Sequence, residues 1–303
     1  MQSIHELNAR YGVGHKIQFS SDLNGLVTLD IENPHATAKV ALQGGHVMQW
    51  NPRHAEAPVL WLSDQARFVS GRSIRGGVPV CWPWFGPHPT DETLCPHGFA
   101  RVVPWEVVDA KPEDNNTTSV VMRLAESRQV EKQWPYLCDL TLTINIGPVL
   151  KMALSTTNNG DVPFVIGEAL HTYFQVSDIE VVKITGLDHA EYEDKVEDYA
   201  LKRQFGDISF SDEVDRVYLH TESTCVLEDP GLRRKIIIEK SGSSSTVVWT
   251  PWERKAAEIG DLGSHYGWRQ MVCVESSNVR DNAVTVAPGE THVLTVQYST
   301  EGL

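Results

Sequence analysis

The sequence predicts an all-β chain, a large antiparallel β-sandwich preceded by a short N-terminal helix. Three observations carry this reading. The dominant hydrophobic period is two: over residues 139–146, Leu140, Leu142, Ile144 and Ile146 share one face, while Asp139, Thr141, Thr143 and Asn145 share the other. Short β-rich runs recur along the chain, separated by Gly, Pro and Asn clusters. No long helical pattern and no glycine-rich nucleotide loop interrupts them, which excludes a parallel sheet with alternating helices.

Taken in order, Ser3 and Glu6 have the spacing of a capping box, so a helix runs from Ile4 towards Tyr11 and stops at Gly12. Strand-like runs follow at 16–20, 26–31, 39–42, 102–109, 119–124, 139–146, 149–156, 179–184, 235–240 and 246–250. At the C-terminus Leu294, Val296 and Tyr298 oppose Val293, Thr295 and Gln297. Turn chemistry separates the runs, as in Asn158-Asn159-Gly160-Asp161 and Asp229-Pro230-Gly231. The serine-rich stretch from Ser241 to Ser245 reads as a hairpin loop. With no internal repeat and no linker, residues 1–303 are expected to form one domain, a length that β-sandwiches reach.

Composition narrows the function classes. At 41% hydrophobic and 22% charged, the chain can bury a sizeable core, which excludes a disordered protein. Its 26 Lys and Arg against 40 Asp and Glu give a net charge of −14. Such a surface argues against nucleic acid and against anionic membranes as partners. An anionic small molecule stays compatible if a few arginines gather in one pocket. The N-terminal segment has no apolar leader pattern, and no run is long enough to span a membrane. Five scattered cysteines without a CxxC pair read as reduced thiols, so a cytoplasmic protein is expected. The Asn115-Asn116-Thr117-Thr118 sequons then read as a polar turn.

Chemistry concentrates in residues 71–101, rich in Pro, Trp and Gly. Flat aromatic faces suit sugar rings, and arginines grip phosphate or carboxylate oxygens. Trp82 and Trp84 by themselves read as core. Arg75 and Arg101 sit beside small or apolar residues, where a buried guanidinium needs a carboxylate partner or an anionic ligand. His88, Asp91, Glu92, Cys95 and His97 lie close in sequence but lack the paired short spacings of a zinc site, so no metal is expected. His171 falls within an apolar strand-like run, Glu275 at the end of another, and Asp215 in a segment that reads as a turn; each alone is weak evidence.

In combination these segments resemble a known family. Residues 75–86 (Arg-Gly-Gly-Val-Pro-Val-Cys-Trp-Pro-Trp-Phe-Gly), 96–101 (Pro-His-Gly-Phe-Ala-Arg), 169–174 (Ala-Leu-His-Thr-Tyr-Phe), 214–218 (Val-Asp-Arg-Val-Tyr), 247–252 (Val-Val-Trp-Thr-Pro-Trp) and 274–278 (Val-Glu-Ser-Ser-Asn) occur in the order seen in the hexose-6-phosphate mutarotases, or glucose-6-phosphate 1-epimerases. These belong to the aldose-1-epimerase (galactose mutarotase-like) superfamily. The resemblance spans nearly the whole chain. It implies a supersandwich fold, interconversion of the α and β anomers of hexose 6-phosphates, and no cofactor. It further implies His171 as general acid, Glu275 as general base, Arg75 and Arg101 on substrate and phosphate, and His97 and Asp215 on sugar hydroxyls. One position departs: some relatives carry glutamine just before the His-Gly pair, where this chain has Pro96, which cannot supply that contact.

The residue types suit the reaction. Opening a hemiacetal removes a proton from O1 and delivers one to the ring oxygen, so a base and an acid must flank C1. A nearby carboxylate and a phosphate dianion are expected to keep His171 protonated. Two rival readings remain: a glycoside hydrolase or lyase, which would usually show two carboxylates, and a non-catalytic sugar-phosphate sensor, which needs no acid–base pair. The protein is expected to act as a monomer, with a dimer through an exposed sheet edge as the alternative.

Overall fold

Alternation in the sequence becomes burial in the structure. In strand Cys138–Ile146, Leu140, Leu142, Ile144 and Ile146 are buried; so are Leu150, Met152 and Leu154 of Leu150–Asn158, and Leu294, Val296 and Tyr298 of Thr291–Gly302. Antiparallel register aligns these positions across the sheet, Leu142 opposite Leu154 and Leu154 opposite Leu294. The computed structural model, which describes residues 2–21 and 24–303, extends this sheet to eight strands. Their order is Lys183–Thr185, Cys225–Asp229, Arg234–Ser241, Thr291–Gly302, Leu150–Asn158, Cys138–Ile146, Thr118–Leu124 and Trp105–Pro112.

A second eight-stranded sheet carries the site. Along it run Ala200–Arg203, Glu191–Asp194, Val214–Tyr218, Ser245–Thr250, Met271–Asn278, Glu168–Leu170 and Val80–Cys81, and Tyr173–Gln175 also pairs with Met271–Asn278. Its central strands Ser245–Thr250 and Met271–Asn278 are buried at every residue, hence on both faces. One face contributes Val248, Val272 and Val274 to the same hydrophobic cluster as Leu294, Val296 and Tyr298 of the first sheet. The two sheets are therefore joined by one core, to which each fully buried Val or Leu contributes about 1.5–3 kcal/mol. A four-stranded sheet (Ile17–Ser21, Val27–Glu32, Ala36–Ala41, His46–Pro52) and a two-stranded one (Phe164–Ile166, Val284–Val286) complete the β structure. All pairings within these sheets are antiparallel, as the alternation in the sequence predicts.

The N-terminal helix runs Ile4–Tyr11, with Ser3 and Glu6 closing the capping box and Leu7 and Tyr11 buried. Several expectations are corrected. The segment 242–244 is no hairpin loop: it links Arg234–Ser241 of one sheet to Ser245–Thr250 of the other. The expected strand at 102–109 begins later, as Trp105–Pro112, behind a 3-10 turn Ala100–Val102. The run 179–184 narrows to Lys183–Thr185. Helices Arg128–Gln133 and Trp252–Ile259 were not anticipated. Among the described residues no helix is long and apolar enough to cross a membrane.

Candidate active site

The outer face of the second sheet builds the site by register. Asp215 lies opposite Trp249, Trp249 opposite Cys273, and Cys273 opposite Tyr173 on its other side. The adjacent row places Val217 opposite Val247 and Val247 opposite Glu275. Because side chains alternate, Asp215, Trp249, Cys273 and Glu275 all project to one face. Asp215 is thus a strand residue of Val214–Tyr218, not part of a turn, and Glu275 is interior to a strand that continues to Asn278. His171 lies in neither flanking strand: it falls between Glu168–Leu170 and Tyr173–Gln175, its backbone N–H donating to Pro79 O at 3.0 Å.

A cavity of about 270 Å³ collects all six expected residues, Arg75, His97, Arg101, His171, Asp215 and Glu275. Its wall also includes Phe85, Tyr173, Lys195, Trp249 and Lys255. At its base His171 Nε2 stands 3.3 Å from Glu275 Oε1. The imidazole is stacked on Tyr173 (centroids 4.9 Å apart, 9° between planes) and meets Trp249 and His97 edge-on. That packing fixes the ring's plane. His171 Nδ1 and Glu275 Oε2 are buried without a hydrogen-bond partner, so both groups keep capacity for a ligand.

The cations are held differently. Arg75 donates from Nε to Asp261 Oδ1 at 2.9 Å and from Nη1 to the Tyr173 hydroxyl at 3.0 Å. Lys195 grips Asp215 at 3.0 and 3.1 Å, and Lys255 pairs with Glu213 at 2.8 Å. Arg101 stands apart: its Nη2 donates to the Pro96 carbonyl at 2.7 Å, its Nε is buried and unpartnered, and among the described residues it forms no ion pair. Pro96 therefore serves Arg101 through its backbone oxygen. The loop reaches this position through Gly98, whose φ is +74° and where a Cβ would lie 1.9 Å from Trp82 O. His46, pushed down to about 4 by burial, hydrogen-bonds Gly76 O at 2.7 Å and braces the backbone beside Arg75.

His171 is expected to be protonated beside a carboxylate and a phosphate dianion; without phosphate, burial acts the other way. Burial, reinforced by Arg101 and Arg75, holds His171 well below the usual imidazole range. Burial holds Glu275 well above the usual carboxylate range, with Lys195 only partly offsetting it. His97 is depressed for the same reasons as His171, and burial raises Asp215 against the pull of Lys195. In the free site the uncharged arrangement of the pair is favoured: neutral imidazole with a protonated carboxyl.

The remaining sequence candidates fall elsewhere. Trp82 and Trp84 are core, their indole N–H groups donating to Thr156 Oγ1 and Cys95 O. His88 accepts from the backbone of Thr90 and Asp91, Asp91 accepts from Thr93, and Cys95 is exposed. Of that cluster only His97 reaches the cavity. Lys195, Lys255, Tyr173 and Trp249 were not picked out from the sequence. The two lysines sit in charged runs that look like solvated surface, and the two aromatics look like core.

The fold and site together are an antiparallel sandwich with a histidine–carboxylate pair and several cations lining one cavity. The sequence model described as aldose 1-epimerase matches residues 27–299, and the chain belongs to that family. Membership makes it an isomerase of the epimerase type. It is 36% identical over 255 residues to a Salmonella typhimurium protein and over 256 residues to one from Escherichia coli, covering 84% of each chain in both cases. Both carry the name "Putative glucose-6-phosphate 1-epimerase". The crystal structure of a Salmonella typhimurium protein described as "a putative mutarotase" superposes with a TM-score of 0.89 at 31% identity, covering 99% of both chains.

Proposed function

We propose that the protein interconverts the α and β anomers of hexose 6-phosphates, with D-glucose 6-phosphate as the principal substrate. The observation that carries this is the His171–Glu275 pair, 3.3 Å apart, in a cavity that also holds Arg101, which has no carboxylate partner among the described residues. The names of the bacterial relatives point to the same substrate. A single hydrophobic cluster spanning both large sheets supports one catalytic domain, and five free cysteines support a cytoplasmic setting.

In this reading Glu275 takes the O1 proton while His171 delivers one to the ring oxygen. The open-chain aldehyde rotates about C1–C2 and closes on its other face, with the two groups exchanging roles. O1 and the ring oxygen are bonded to the same carbon, so an acid and a base in near contact suit them. The pair holds one proton in either arrangement, on Glu275 in the uncharged form and on His171 in the ion pair. Substrate binding tilts that balance. A phosphate dianion on Arg101, with Arg75 beside it, offsets the charges that reinforce burial in depressing His171, and so favours the imidazolium needed for opening. Asp215, fixed by Lys195, and His97 are assigned to the sugar hydroxyls.

Two-dimensional exchange NMR on glucose 6-phosphate tests the proposal. Anomer exchange accelerated far above the protein-free rate, and less so for free glucose, is expected. Ligand-induced shifts of protein resonances without any acceleration would leave a sensor and refute the enzyme.

A further inference from the structure

We propose that His171, Cys273 and Glu275 form a three-ligand site for a zinc-type divalent cation, and that the ion blocks catalysis by occupying the acid–base pair. The inhibition rests on the function proposed above; the metal site itself does not. An imidazole nitrogen, the Cys273 sulfur and a Glu275 carboxylate oxygen all lie within 4.8 Å of one another. Imidazole nitrogen, thiolate sulfur and carboxylate oxygen are each zinc ligands, and three protein ligands leave a fourth tetrahedral position open. Two nitrogen or oxygen ligands at about 2.0–2.1 Å from a tetrahedral ion stand about 3.3–3.4 Å apart. The His171 Nε2 to Glu275 Oε1 separation is 3.3 Å, already that spacing. Cys273 and Glu275 alternate onto one face of Met271–Asn278, and Tyr173, which pairs with Cys273, brings His171 alongside.

Charge decides which ligands are indispensable. Arg75, Arg101 and Lys195 oppose any cation here, so the ion needs both a thiolate and a carboxylate to cancel its two charges. Sequence spacing conceals the site, because the sheet alone brings His171 beside the Cys-x-Glu pair.

Cobalt(II) is the probe for the site and zinc(II) for its effect. Wild type with Co²⁺ is expected to show a thiolate-to-cobalt charge-transfer band, absent in Cys273→Ser. Zn²⁺ should stop glucose 6-phosphate anomer exchange, and a chelator should restore it. Measured against its own zinc-free exchange rate, Cys273→Ala should need more than about 100-fold more Zn²⁺ for inhibition than wild type, beyond the roughly 10- to 100-fold cost of losing a residue that only supports a ligand. No charge-transfer band in wild type, or undiminished zinc sensitivity in Cys273→Ala, would overturn the site. A band in a wild type that shows no exchange would uphold the metal site while sinking the epimerase reading.

Discussion

Replacing Arg101 with alanine should separate phosphorylated from free sugar. Among the described residues Arg101 is the cavity cation without an ion pair: Arg75 has Asp261, Lys195 has Asp215 and Lys255 has Glu213, whereas Arg101 donates to the Pro96 carbonyl. A hydrogen bond to a charged group contributes about 1.5–3 kcal/mol. At about 1.4 kcal/mol per tenfold, removing one such contact to phosphate should lower kcat/KM for glucose 6-phosphate by about 10- to 150-fold. For free glucose, which has no phosphate to lose, kcat/KM should change only a few-fold. Both values come from exchange NMR across a substrate series. Arg75→Ala should behave otherwise and impair both sugars, because it also releases Asp261 and the Tyr173 hydroxyl against which His171 is stacked. Equal losses on both sugars in Arg101→Ala would refute the assignment of Arg101 to phosphate.

The pH profile of kcat/KM on free glucose, which avoids titration of the phosphate, should be a broad plateau. The pair gains a second proton only below the depressed His171 pKa and loses its last only above the raised Glu275 pKa. A narrow bell confined between the ordinary values of 4.5 and 6.5 would contradict this. Stability should carry a different signature. His292 sits 2.8 Å from the buried Glu168, and that hydrogen bond raises its pKa above 6.5. A raised pKa gives stability that is fully present below the unfolded-state value and lost as pH rises through the folded one. The Tm difference between wild type and His292→Gln should therefore be larger at pH 6 than at pH 9, and a pH-independent gap would count against the ion pair. Gly98→Ala should destabilise by at least about 2 kcal/mol in urea melts, since the new Cβ meets Trp82 O and the backbone is left-handed. A variant as stable as wild type would show that the loop holding His97 can relax.

What the sequence revealed depended on the physical signal available. One-sided burial leaves a period of two, so Cys138–Ile146 and Leu150–Asn158 were visible to within a residue or two at their ends. The capping box marked Ile4–Tyr11 outright. Strands of two to four residues, such as Val80–Cys81, Phe164–Ile166 and Ala200–Arg203, are too short to show a period. Met271–Asn278 is buried on both faces and shows no alternation, so Glu275 looked like a terminal residue. The helix Trp252–Ile259 did carry a signal, Pro251 before it and Gly260 after it, that the β pattern overshadowed. The six site residues were named only because ordered segments resembled a family; no spacing linked His171 to Glu275. Lys195 was invisible for the opposite reason: a lysine among acidic neighbours looks solvated until the fold turns it onto Asp215. The shifts of the free site were not legible because a sequence does not disclose burial, the largest influence on both His171 and Glu275.

The central claim is that His171 and Glu275 jointly exchange the proton between O1 and the ring oxygen. Its most direct test is anomer exchange on glucose 6-phosphate for wild type beside His171→Asn and Glu275→Gln, each checked for native folding and for retained sugar-phosphate binding. Exchange well above the uncatalysed rate in wild type, falling by at least about 100-fold in each folded variant, is the predicted result. Wild-type exchange that survives in either variant would contradict the account.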